Sequence, residues 1–132
     1  TEALINHAFS LLSGYRWDIT AAARGLSVAG VRAILARCHD NTFGVDGTWP
    51  LTIQRLQKEG WGASMQTDLT MDYIETEGLQ FETADQFEPE IAEMGGVDAW
   101  MKSLDEDVGK WAVRLRLATT EVEAMLDTHN QA

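Results

Sequence analysis

Cysteine is nearly missing from this chain of 132 residues: Cys38 stands alone, which excludes an internal disulfide and fits a reducing compartment. No apolar run approaches the roughly 18–20 consecutive positions that a membrane span requires. Thr1–Gly14 has neither the basic start nor the long apolar stretch of a secretory signal. The expected location is therefore cytoplasmic, with no membrane among the partners. Metal-binding spacings such as CxxC or HExxH are missing, as are the glycine-rich loops GxxxxGK[ST] and GxGxxG that cradle phosphates, so no metal or other cofactor is implied. Basic residues are scarce, with ten Lys/Arg against 21 Asp/Glu and a formal net charge of −11.

The charge that is present is divided unevenly. Residues 1–65 hold six Lys/Arg and five Asp/Glu, whereas residues 66–132 hold four and sixteen. A near-neutral half is thus joined to one that a phosphate backbone would repel. Hydrophobic residues make up 45% of the chain, enough at this length for one domain or two packed subdomains. The five Trp, at 17, 49, 61, 100 and 111, are too dispersed for a stacking platform and read mainly as core or subdomain-packing residues.

Helical spacing dominates the pattern. Ala3, Leu4, Ala8, Leu11 and Leu12 form a stripe over Glu2–Leu12, closed by Ser13-Gly14. Asp18 or Thr20 can cap a second helix through Ala21–Arg24, and Ser27 can cap a third whose Val28, Val31, Ile34 and Leu35 share one face. Asp46-Gly47 reads as a turn, and Pro50 as the first residue of a fourth helix that Gly60 stops. The expected division is a helical subdomain over residues 1–62 and an acidic helical subdomain over 63–132. Within the latter, residues 67–74 suit a short helix, Tyr73–Thr83 suits a small β-hairpin, and Asp85–Met94 suits a helix closed by Gly95-Gly96. Met101, Leu104, Val108, Trp111, Leu115, Ala118, Val122 and Met125 recur at steps of three and four, as on one long helix or on two broken near Thr119-Thr120, while Val113, Leu115 and Leu117 alternate with Arg114 and Arg116 as on a strand that a helix would follow. The fold class expected is all-α, a compact helical bundle.

Ile19–Leu35 carries Ala21 where two helices would cross, Gly25 four residues later at the turn, and Val31 and Ile34 six and nine residues beyond that glycine. This stretch resembles the helix-turn-helix of bacterial and phage repressors. Ile19–His39 also holds three Arg and no acidic residue. The resemblance implies duplex DNA as a partner: Ser27, Ala29, Gly30 and Arg32 would face the major groove, and Arg24 and Arg37 would meet phosphates. Two departures stand out, Arg24 in place of a buried aliphatic residue and Gly30 inside the second helix.

Other constellations point elsewhere. Asp46-Gly47-Thr48-Trp49-Pro50-Leu51-Thr52 with Leu56-Gln57 is similar to a stretch of small helical peptidoglycan-binding domains, with altered spacing. Cys38-His39-Asp40 combines nucleophile, base and orienter types, but adjacent residues diverge, so no catalytic residue is assigned. The base-free acidic run from Asp68 to Glu93 suits a solvated face or a surface that mimics DNA or docks on a basic protein patch. The expected function is a small acidic regulatory protein. It would bind DNA through Arg24, Ser27, Arg32 and Arg37 and form a homodimer or partner contact through Trp111, Leu115 and Val122. The alternative is a protein-binding inhibitor or adaptor whose acidic half is the active surface.

Overall fold

The computed structural model describes residues 1–21, 23–61, 68–75 and 87–131. Among the described residues six α-helices run in order: α1 (Glu2–Ser13), α2 (Val28–Arg37), α3 (Val45–Lys58), α4 (Glu88–Met94), α5 (Val97–Glu106) and α6 (Val108–Asn130). A single 3-10 turn, Ile19–Ala21, separates α1 from α2. No strand occurs among the described residues, in keeping with the all-α expectation. Of the expected β-hairpin, residues 73–75 are without regular structure, and the remainder lies outside the described residues. Residues 68–74, expected as helix, are also irregular.

Contacts divide the chain into two units: Thr1–Tyr73 together with Arg116–Ala132, and Ile74–Leu115. A break near Gly62 does not describe this division, because the last part of α6 belongs with the N-terminal helices. The reason is visible in the first unit's core. Ile5 and Phe9 of α1, Ile19, Leu51 of α3, and Ala118 and Met125 of α6 form one buried cluster. Ala33 and Ile34 of α2 with Ile53 and Leu56 of α3 form another, against which Cys38, Trp49, Trp61, Leu69 and Met71 pack. Helix α3 therefore serves both clusters. Close approach to α6 requires Gly47, where an added Cβ would strike the Met125 side chain.

Helix α1 ends where the sequence indicates, at Gly14 in the left-handed region (φ 80°). Its inward face differs from the expected stripe: Ile5 and Phe9 are buried, whereas Leu4 and Leu11 are exposed. Side-chain bonds then lock the next loop onto it. Asn6 Nδ2 donates to Asp18 Oδ1 at 2.8 Å, and Asn6 Oδ1 accepts from the Ile19 N–H at 3.0 Å. Gln54 Nε2 donates to the Ser13 carbonyl at 2.7 Å, joining α3 to the end of α1.

Helix α3 begins at Val45, five residues before Pro50, and absorbs the expected Asp46-Gly47 turn into its first turn. In the second unit, Trp100 of α5 is the buried anchor and stacks on Phe87 with centroids 5.5 Å apart. The break in the long apolar stripe falls at Asp107, not at Thr119-Thr120, and α6 continues through both threonines. Asp107 Oδ1 accepts from the N–H groups of Gly109 and Lys110, so this carboxylate caps α6.

Candidate interaction surfaces

Helix α2 is built as the sequence indicates at its start. Ser27 Oγ accepts from the Gly30 N–H at 3.1 Å, satisfying a donor of the first turn. Its two faces are inverted relative to the expected pattern. Gly30, Ala33 and Ile34 turn inward, and Arg37 on the same side lies 5.0 Å over the Trp61 ring. Val28, Val31 and Leu35 are 69%, 38% and 77% exposed, and their spacing of three and four puts them in one outward row with the exposed Arg32 beside it. Ala33 and Ile34 lie inward because they pack on Ile53 and Leu56 of α3.

The stretch ahead of Ser27 lacks a helix among the described residues: after the 3-10 turn, residues 23–27 are irregular. Gly30 is buried, not turned toward a groove. Arg24 is committed internally. Its Nη2 donates to the carbonyls of Ile19 at 2.7 Å and Asp46 at 2.9 Å and lies 3.3 Å from Asp46 Oδ1. Pro50 explains the second of these bonds. Four residues after Asp46 inside α3, it has no N–H to give the Asp46 carbonyl, and the guanidinium supplies the missing donor. Of the four residues expected at DNA, Ser27 and Arg32 remain on the open side of α2, Arg37 is stacked on Trp61, and Arg24 is a structural strut.

Two of the three residues expected at the second surface lie on one exposed face of α6. Val108, Trp111 and Leu115 are 81%, 39% and 57% exposed and share one face of α6 at the same three-and-four spacing. Val122, expected on the same seam, instead packs against the core of the first unit. Trp111 is held in place: its indole N–H donates to the Asp105 carbonyl at 2.7 Å, and Arg114 lies 4.8 Å over its ring while pairing with Asp105 at 3.2 Å. The unit that carries this row has eleven Asp/Glu against three Lys/Arg, or −8 of the net −11.

Several other polar groups are engaged within the first unit. Cys38 Sγ lies 3.6 Å from Thr48 Oγ1, and the Asp40 carboxylate accepts from Thr42 and Thr48, so this triplet makes no relay. The residues of the peptidoglycan-binding-like stretch lie within α3, with Thr48, Leu51 and Thr52 buried. Glu121 on the inner face of α6 is only 6% exposed, and its Oε2 has no hydrogen-bond partner among the described residues. Burial first, then the Asp46 and Asp40 carboxylates, push its carboxyl up to about 7. An open cleft of about 630 Å³ beside α1 is lined by His7, Arg16, Trp17 and Asp18, but its Asn6 and Asp18 are spent on each other and on the 3-10 turn. No group of His, Cys, Asp or Glu among the described residues could hold a metal ion, and no helix among them is long and apolar enough to cross a membrane. Comparison with known proteins finds no matching family model, no similar curated protein and no similar solved structure.

Proposed function

We propose that this chain is a regulatory adaptor that binds protein, with the outer face of α2 as its docking element. The outward row of Val28, Val31 and Leu35 carries the reading. A helix that already buries one face has no structural need for three large aliphatic side chains on the other, and contiguous exposed apolar surface marks interaction sites. Covering that row would contribute on the order of 3–6 kcal/mol before association costs. Arg32 beside the row, in a stretch without acidic residues, selects a partner whose apolar surface is bordered by carboxylates.

The test is a fluorescence anisotropy titration with a labelled amphipathic peptide built from Leu and Glu. Saturable binding is expected, weakened at least tenfold by Val31→Glu and reduced by added salt. Binding indifferent to Val31→Glu, or no binding, overturns the reading. A second reading keeps duplex DNA as the ligand of α2. It is favoured by the Ser27 cap and the exposed Arg32, and opposed by the internal use of Arg24. A labelled duplex at low salt separates the two: capture of DNA that Arg32→Ala and Arg37→Ala weaken moves the assignment to DNA.

A further inference from the structure

The tail of α6 meets the start of α3 at two glycines. A Cβ at Gly47 would strike Met125, and one at Gly44 would strike both Ala124 and the Asp40 carboxylate, so the two helices touch there with no room to spare. Glu121 stands one turn before Ala124 and Met125 on this face. It is 6% exposed, and its Oε2 has no hydrogen-bond partner among the described residues. The charged groups that face it are two further carboxylates, Asp40 from the loop before α3 and Asp46 from the first turn of α3. Asp40 accepts from Thr42 and Thr48, and Asp46 pairs with Arg24, whose guanidinium also serves the Ile19 and Asp46 carbonyls. Helix α1 and the 3-10 turn bring only apolar side chains to the cluster that α6 completes, Ile5, Phe9 and Ile19. On α6 itself the residues a turn away from Glu121, Leu117, Ala118, Ala124 and Met125, are uncharged. We propose that residues 116–130 form a proton-controlled latch: the tail of α6 stays docked while Glu121 is protonated and swings off α3 when it ionises.

This latch does not depend on the docking row of α2. An ionised Glu121 in the docked position would carry a buried charge against two like charges, and lifting α6 returns it to water. The contact with α6 is the part that yields, because the hold on it is narrow. Ala118, Val122 and Met125 pack into the first cluster, and beyond them Arg55 reaches the Thr128 carbonyl only at 3.4 Å. The second cluster, Ala33, Ile34, Ile53 and Leu56, contains no residue of α6 and persists when the tail is detached. Release uncovers the sides of Ile5, Phe9 and Leu51 that Met125 and Ala118 cover, an apolar surface shown only in the open state. The direction follows from proton linkage. The Glu121 carboxyl lies at about 7 when docked and near 4.5 when hydrated, so the ratio of open to docked chains climbs as pH rises between these values and levels off above them. From pH 5.5 to pH 8 the ratio grows about thirtyfold.

Oxidation of Met125 by hydrogen peroxide, followed by mass spectrometry of the full chain, reads the docking directly. Met125 is fully buried, and Met101, 47% exposed, serves as the internal reference. The Met125 rate relative to Met101 should rise about thirtyfold from pH 5.5 to pH 8. In Glu121→Gln the rate should stay at its low-pH value, and in Asp40→Asn, which removes one of the two facing charges, the rise should be smaller. Urea at concentrations below the unfolding transition distinguishes the latch from unfolding of the whole unit. Opening of the tail alone exposes little surface, so such urea should alter the Met125 rate at pH 8 by less than about twofold while it accelerates amide exchange at Ile53 and Leu56. A Met125 rate equal at the two pH values overturns the inference, as does a rise that Glu121→Gln retains. Oxidation that climbs with urea in step with exchange at Ile53 and Leu56 in the wild-type chain also overturns it, because the whole unit then opens together.

Discussion

A proline inside a helix leaves a carbonyl without its donor, and here a single arginine from outside the helix fills the vacancy. Arg24 reaches the Asp46 carbonyl that Pro50 cannot serve, and its charge meets the Asp46 carboxylate at the same place. Arg24→Ala should destabilise the chain by about 2 kcal/mol in urea unfolding, because a partly buried carbonyl and carboxylate lose their partner. In a Pro50→Ala background the restored N–H takes over one bond, and the cost of Arg24→Ala should shrink by about 1 kcal/mol. Glu121 makes a prediction of opposite character. Its carboxyl is raised to about 7 in the folded state from an ordinary value of 4.5, so the native state holds the proton more tightly than the unfolded one. Stability therefore falls as pH rises from about 4.5 to about 7 and stays lowered above that, by on the order of 3 kcal/mol. Glu121→Gln should flatten this slope in thermal melts across the same pH range. Neither role was legible in the sequence. The vacancy opposite Arg24 exists only if α3 starts before Pro50, and a proline at a helix start is the commoner pattern. The buried state of Glu121 depends on which side of α6 meets the first unit.

Caps were the most legible feature at the scale of elements. Gly14 and Ser27 act locally, through a left-handed backbone and a side-chain oxygen, so adjacent residues suffice to identify them. The faces of α2 were not legible because hydrophobic spacing carries no sign: it groups Val28, Val31 and Leu35 without saying that they point outward. The packing of Ala33 and Ile34 against α3, which decides the matter, is a property of two helices together. The stripe from Met101 to Met125 misled in another way. Its steps of three and four continue across Asp107, where the carboxylate starts a new helix by capping Gly109 and Lys110. Asp107→Ala should cost about 1 kcal/mol, and hydrogen exchange at the amides of Gly109 and Lys110 should accelerate more than at residues deeper in α6.

The two units differ in how much each buries. The first has two buried clusters, whereas among the described residues of the second only Trp100 is buried, in a segment that carries −8. Amides of α5 should exchange faster than those of α3, and added salt, which screens carboxylate repulsion, should narrow the difference. Equal protection of both helices at low salt would contradict this. The all-helical class was legible from periodicity alone. The grouping of residues 116–132 with the N-terminal helices was not, since it rests on contacts between positions more than seventy residues apart, such as Arg55 with Thr128 and Gly47 with Met125. That grouping constrains how the chain is made. Ile5 and Phe9 leave the ribosome more than a hundred residues ahead of Ala118 and Met125, which complete their cluster. At about 5–20 residues per second the first helix waits several seconds with its apolar face uncovered. Nascent chains arrested before residue 118 should consequently remain sensitive to protease at α1 and be good clients for a holding chaperone.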